Sequence, residues 1–169
     1  NADHVIIQTP YVICNGYMYD VLQGISDHAK LQIVLNAVEK GSNPWGCTDY
    51  LNQKKKILET GADVYELMND YPVHTKAVLI DNRLSVAGSY NLDMRSTYLD
   101  TELMLVIDSE KLSQQIHKTE SDYMEKSKEV LANGQETEGT KYQKKVLNWK
   151  KRLYYGVLRI IIRPLRQLL

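Results

Sequence analysis

The apolar positions Val5 to Ile13, interrupted by Pro10, form a buried-strand pattern. Asn15 then offers an N-cap for a helix to about Lys30. Leu31 to Val38 predicts a second strand, and the turn residues of Gly41 to Gly46 predict a loop. A helix follows from about Asp49 to Thr60, capped by Thr48 and stopped by Gly61. Asp63 to Met68 alternates as a third strand, and Val73–Asp81 with Leu84–Ser89 predicts a hairpin across Asn82 and Arg83. Thr101 to Asp108 adds one more strand, after which Ser109 caps a long polar helix through about Leu131. The order of elements predicts a mixed α/β sandwich over residues 1–132, a linker over 133–140 by its Asn, Gly and Glu content, and a helical tail over 141–169.

Composition narrows this picture. Of 169 residues, 43% are hydrophobic, which suits a packed domain and excludes a disordered chain. No uncharged apolar run approaches the roughly 20 residues that a spanning helix needs. The chain opens on Asn1 and runs straight into Val5–Ile7, which predicts a fragment or a processed product. Cys14 and Cys47 lack metal-ligand spacing and are expected to be free thiols. The formal charge is zero, yet residues 1–140 carry 12 basic against 21 acidic side chains, a net −9, and residues 141–169 carry nine basic and no acidic ones. Any affinity for a polyanion is therefore expected in the tail.

The chemistry sits in the hairpin. His74, Lys76, Asp81, Gly88, Ser89 and Asn91 follow the spacing His-x-Lys-x4-Asp-x6-Gly-Ser-x-Asn. Residues two apart on a strand share a face, so His74 projects with Lys76, and Ser89 with Asn91 from the returning strand. An imidazole, a fixed cation and two hydrogen-bonding groups would converge, the equipment for attacking a phosphodiester without a metal or a cofactor. Glu102 on the next strand is placed to accept the proton-bearing nitrogen of His74, and Asp81 to tie the hairpin together. Six fixed positions recur by accident about once in 10⁷ starting points, so the pattern outweighs a solvated strand beside a Gly-Ser turn.

The stretches His74-Thr-Lys76, Asp81 and Gly88-Ser-Tyr-Asn91 resemble the phospholipase D superfamily. Asn91-Leu-Asp-Met-Arg-Ser96, Leu99-Asp-Thr-Glu-Leu103 and the opening Gln8-Thr-Pro-Tyr11 are similar to its bacterial cardiolipin synthase branch. The resemblance covers roughly residues 5 to 110 and implies an α/β/α sandwich whose active site needs two such motifs facing each other. Only one is present, so it implies either the C-terminal half of a two-motif chain or one subunit of a homodimer. It further implies phosphatidyl transfer through a phosphohistidine, with His74 more often the general acid, on a phospholipid substrate at a bacterial membrane surface. Hydrolysis by water and a homodimeric endonuclease are the alternatives. The acidic body weighs against nucleic acid, whose binding rests on phosphate neutralisation.

The tail spaces Val146, Trp149, Leu153, Val157, Ile160, Ile161 and Leu168 near helical intervals among lysines and arginines, with Pro164 expected to kink or end the helix. Two readings stand: an interfacial helix on anionic lipid, or a helix packing its apolar stripe on the body. Arg83 and Arg95 are further candidates for a lipid phosphate. His4, His28 and His117 have no spaced partners, Lys54-Lys-Lys56 reads as the wet face of a helix, and Trp45 and Tyr50 as packing.

Overall fold

The computed structural model describes residues 2–169 and is built around one eight-stranded sheet. Strands β1 (His4–Gln8), β2 (Lys30–Asn36) and β3 (Asp63–Leu67) run parallel, and β4 (Ala77–Ile80), β5 (Leu84–Gly88) and β6 (Met104–Asp108) extend the sheet antiparallel beyond β1. On the other side β7 (Ser127–Val130) pairs with β3 and β8 (Glu136–Glu138) with β7, giving the order β6-β5-β4-β1-β2-β3-β7-β8. The central strands are covered on both faces, which is why they read as continuous apolar runs rather than alternating ones.

Helices α1 (Gly16–Ser26) and α2 (Pro44–Glu59) cover the face formed by Val5, Ile7, Leu31, Ile33, Leu35 and Val64. The face formed by Ile6, Val34, Tyr65, Leu67 and Leu79 packs under α4 (Glu110–Glu125) through Ile116, Tyr123 and Met124. The short α3 (Met94–Tyr98) follows the motif, and α5 (Trp149–Leu165) lies outside α2. The expected α/β/α sandwich is thus the architecture.

Several boundaries move. Asn15 caps α1 as expected, its side chain accepting from the Met18 amide, but the helix stops at Ser26. Helix α2 begins at Pro44, capped by Asn43 rather than Thr48, because proline at the first helical position needs no amide partner. Gly46 thereby comes against Tyr11, whose ring a Cβ would meet at 2.7 Å. Helix α4 ends six residues early because Ser127–Val130 pairs with β3 and buries Ser127 and Val130. The segment expected as a linker turns at Asn133–Gly134 and forms β8 instead, so the sheet continues through Glu138. Cys14 and Cys47 are free and buried, and burial pushes their thiols up to about 12 and about 11.

Candidate active site

Parallel strands β1, β2 and β3 end together at Gln8, Asn36 and Leu67, and Ala77 at the start of β4 pairs with Gln8. The motif therefore collects at the carboxyl ends of the parallel strands, where open α/β sheets leave a crevice. Residues 73–76 have no regular secondary structure and precede β4, so His74 and Lys76 stand on a strap rather than in the sheet. Asn36 fixes that strap. Its amide donates to the Val73 carbonyl at 2.7 Å and its Oδ1 accepts the Val73 amide at 2.8 Å. A third bond to the Pro10 carbonyl at 3.1 Å anchors the Asn36 side chain itself.

On this strap the two side chains meet. Lys76, buried along its length, donates from Nζ to Nδ1 of the exposed His74 ring at 2.5 Å and to the His74 carbonyl at 2.8 Å. Nζ also lies 3.3 Å from Nε2; an ammonium only donates, and the shorter Nδ1 contact suits the neutral tautomer that carries its proton on Nε2. Partial burial, then the Lys76 charge, hold the imidazole below its ordinary 6.5, and the ring is neutral at pH 7. Burial also lowers Lys76, against the opposing pull of Glu102 and Asp93.

The second stretch of the motif is stitched beside the first. The Gly88 amide donates to the Lys76 carbonyl at 3.2 Å. Gly88 has no room for a side chain, since a Cβ would lie 2.0 Å from the Leu103 carbonyl oxygen. Ser89 closes this crossing: its amide donates to the Leu103 carbonyl at 3.0 Å and its hydroxyl accepts the Leu103 amide at 3.0 Å. Asn91 reaches the Ser96 hydroxyl at 3.4 Å through its amide, and its buried Oδ1 has no partner among the described residues. Behind it, Thr9 accepts the Leu92 amide at 3.2 Å, and Asp93 caps α3 by accepting the Ser96 amide at 2.6 Å. The Ser89 and Ser96 hydroxyls, with the Lys76 charge, hold the Glu102 carboxyl below the usual range. Among the described residues no hydrogen bond joins Glu102 to His74, and Glu102 acts instead on the charge of Lys76, raising its pKa.

Asp81 and Arg83 lie elsewhere. Both occupy the turn at the opposite end of the β4–β5 hairpin, near Val5 at the amino end of β1. Asp81 adopts φ 52°, which a short polar side chain tolerates, and its Oδ1 accepts the Asp3 and His4 amides at 3.0 and 2.9 Å. It ties the hairpin to β1. Arg83 holds Asp108 through two 2.7 Å bonds and is not part of the cluster. Arg95 on α3 is closer in the chain to Asn91 but is paired with Asp100 at 2.9 Å. Asn36 and Thr9 are the residues that sequence reasoning missed; the available signal was a polar side chain ending a buried parallel strand.

Comparison with known proteins places this geometry. Residues 2–122 match the family model described as "Cardiolipin synthase, PLD-like domain". Cardiolipin synthase A of Serratia proteamaculans is 28% identical over 158 residues, covering 90% of this chain and 30% of that protein. Cardiolipin synthase A of Proteus mirabilis is 30% identical over 131 residues, covering 75% of this chain and 26% of that one. The chain thus spans less than a third of the length of these relatives. Among solved structures, the phospholipase D family member Nuc from Salmonella typhimurium aligns with TM-score 0.62 at 16% identity over 76% of this chain and 82% of its own. Phosphatidylserine synthase from Haemophilus influenzae aligns with TM-score 0.68 at 16% identity over 99% of this chain and 42% of its own, a likeness of fold. The chain belongs to the phospholipase D superfamily, as a cardiolipin synthase-type PLD-like domain.

Proposed function

We propose that this chain is the C-terminal half of a phosphatidyl transferase of the cardiolipin synthase kind. The observation that carries the reading is the contact of Lys76 with His74 at the carboxyl ends of the parallel strands, with the Gly88-to-Asn91 stretch of the motif stitched to Lys76 through the Gly88 amide. A phosphodiester seated there takes the ammonium of Lys76 and the amide of Asn91 on its non-bridging oxygens. In the first step a histidine nitrogen of the other half bonds to phosphorus while the phosphorus–oxygen bond to the leaving glycerol breaks. His74, protonated once the anion has drawn Lys76 off its ring, gives the leaving oxygen its proton. In the second step His74 takes a proton from the glycerol hydroxyl of phosphatidylglycerol as that oxygen displaces the histidine. Glu102 acts through the charge of Lys76 rather than on the ring.

The sheet edge supports a second half. Strand β6 is the last strand on its side, yet Leu105 on one face and Val106 on the other are both more than half exposed, as are Leu99 and Leu103 next to it. An uncovered apolar edge of this kind invites pairing. The partner is the N-terminal part of a longer protein, since this chain spans less than a third of the matched relatives; a second copy of the chain is the alternative. Among the described residues no helix is long and apolar enough to cross a membrane, and association with a bacterial membrane is proposed as peripheral.

The test incubates the chain, alone and joined to the N-terminal half of a two-motif parent, with phosphatidylglycerol vesicles and supercoiled plasmid. Cardiolipin that vanishes in His74→Ala is the expected product, with a loss of about 10²- to 10⁴-fold for a proton-transfer group. Phosphatidic acid alone would mean hydrolysis. Nicked plasmid without a lipid product would replace the reading with an endonuclease.

A further inference from the structure

Helix α5 is apolar on two sides. Tyr155, Leu158 and Ile162 are buried on one side, where the helix meets α2. At 100° per residue these lie within one narrow arc. Trp149, Leu153, Val157, Ile160 and Ile161 fall on the opposite arc, and all five remain exposed, Trp149 and Ile160 at 70%. Arg152, Arg159 and Arg163 recur at i, i+7 and i+11 and line the border between the two arcs. A helix with one apolar stripe would have spent it on the body; this one keeps a second stripe for something else.

The helix is also fixed in place. Nε of Arg166 holds the fully buried Asp49 at 3.0 Å, and its Nη2 reaches the Cys14 carbonyl and the Tyr19 hydroxyl. Arg159 donates to the Asn52 side chain at 2.9 Å, and the Asn52 amide donates back to the Arg159 carbonyl at 3.0 Å. At the end of the tail the Leu169 carbonyl accepts the Arg95 amide on α3, the helix that follows Asn91. The outer stripe therefore has a set position relative to the motif.

We propose that α5 docks the chain on an anionic lipid surface, its outer stripe entering the acyl boundary and Arg152, Arg159 and Arg163 meeting lipid phosphates. Charge selects this occupant. Residues 141–169 hold nine cations and no anion, against a net −9 in the rest of the chain, and an apolar face bordered by arginines suits a helix lying in a bilayer interface. The edge offered to a partner half is β6, whereas α5 packs on α2, which covers a face of the sheet rather than its edge. The inference rests on the lipid-processing reading only for its purpose: a lipid phosphodiester must be met at the membrane surface, and a docked α5 sets the distance from that surface to His74.

The test is sedimentation of the chain with vesicles of phosphatidylglycerol and phosphatidylcholine in equal parts, and with phosphatidylcholine alone, at physiological salt. Each arginine near an anionic surface contributes about fivefold in affinity, so Arg152→Gln/Arg163→Gln is expected to lower binding about 30-fold on mixed vesicles. Leu153→Ser/Ile160→Ser is expected to lower it on both, with the Trp149 emission shift lost and the circular dichroism unchanged. His74→Ala should bind as the parent does. Equal binding by all variants, or binding indifferent to phosphatidylglycerol, would overturn the proposal. So would a parent chain that dimerises through this stripe, seen as a return to monomer in Leu153→Ser/Ile160→Ser. Binding without turnover by the chain joined to its N-terminal half keeps the docking and removes the transferase reading; turnover of that joined protein with unaltered binding in both variants does the reverse.

Discussion

Glu66 and His74 stand at the end of β3 and on the strap that follows it, each held by lysine, and they have opposite surroundings. Glu66 is buried and saturated: Oε1 accepts from Tyr50 and Lys54, both at 2.8 Å, and Oε2 from Lys128 at 3.0 Å. Burial alone would raise its carboxyl, but Lys54, Lys128 and the Tyr50 hydroxyl outweigh burial and hold it below the usual range. Glu136 then shares both lysines, at 3.5 and 3.3 Å, and closes the network. His74 is exposed and has one strong neighbour, Lys76. A charged cluster whose bonds are all made holds the fold together. One that keeps bonding capacity toward solvent is ready for a substrate.

The largest expected effect tests the saturated side. Glu66→Ala would leave Tyr50, Lys54 and Lys128 without their shared acceptor, and breaking a buried pair from one side costs about 3–5 kcal/mol. Thermal unfolding should fall by about 10 °C, at roughly 2–4 °C per kcal/mol for a chain of this size. His74→Ala, at an exposed position, should stay within about 0.5 kcal/mol of the parent. Equal melting temperatures for the two variants would erase the distinction. The contribution of Glu66 also has a sign with pH: its folded pKa is depressed, so the stabilisation is present above the unfolded value near 4.5 and is lost as pH falls through the folded one.

Glu120 on α4 is a third kind of charge, one with neither role. It is 1% exposed, neither carboxyl oxygen has a partner among the described residues, and burial pushes it up to about 7. Its folded value lies above the unfolded 4.5, so its favourable contribution is complete below 4.5 and is lost as pH rises toward 7. Glu120→Gln, which cannot ionise, should therefore stabilise the chain by about 3 kcal/mol at pH 8 and by almost nothing at pH 4. Denaturant titration at both values measures it; no gain at pH 8 would mean that a partner satisfies the carboxylate.

These three groups also mark how much was legible in the sequence. The motif announced His74, Lys76, Gly88 and Asn91 because chemistry demands those residue types at fixed spacing, but of these only Gly88 lies in the hairpin strands that alternation predicted. Caps at Asn15 and Ser109 located α1 and α4 because capping is local. Glu66 and its lysines were not legible. Lys54 reads as a solvated helix position, and only packing of α2 on β3 brings it to a carboxylate 12 residues away, at 2.8 Å. Strands β7 and β8 were invisible for the same reason: Ser-Lys-Glu-Val and Glu-Thr-Glu owe their conformation to pairing with β3, not to their own composition. Asn36 acts on the backbone of Val73, a contact that no motif spacing records.

The smallest effect probes the open side. Burial and then the Lys76 ammonium hold His74 below 6.5, so Lys76→Met removes the second cause and leaves the first. The imidazole should titrate at a higher pH than in the parent while staying below its ordinary value, a change read from the ring resonance that His74→Ala identifies. The sign is fixed by charge: a cation beside a base opposes its protonation, and taking the cation away must ease it. Because the folded pKa is depressed, His74 favours the folded state above its unfolded value, and that small contribution is lost as pH falls through the folded one. If the resonance keeps its midpoint in Lys76→Met, the ammonium does not rest on the ring. Lys76 would then be a phosphate ligand only, and the neutral state of His74 would be owed to the crevice alone.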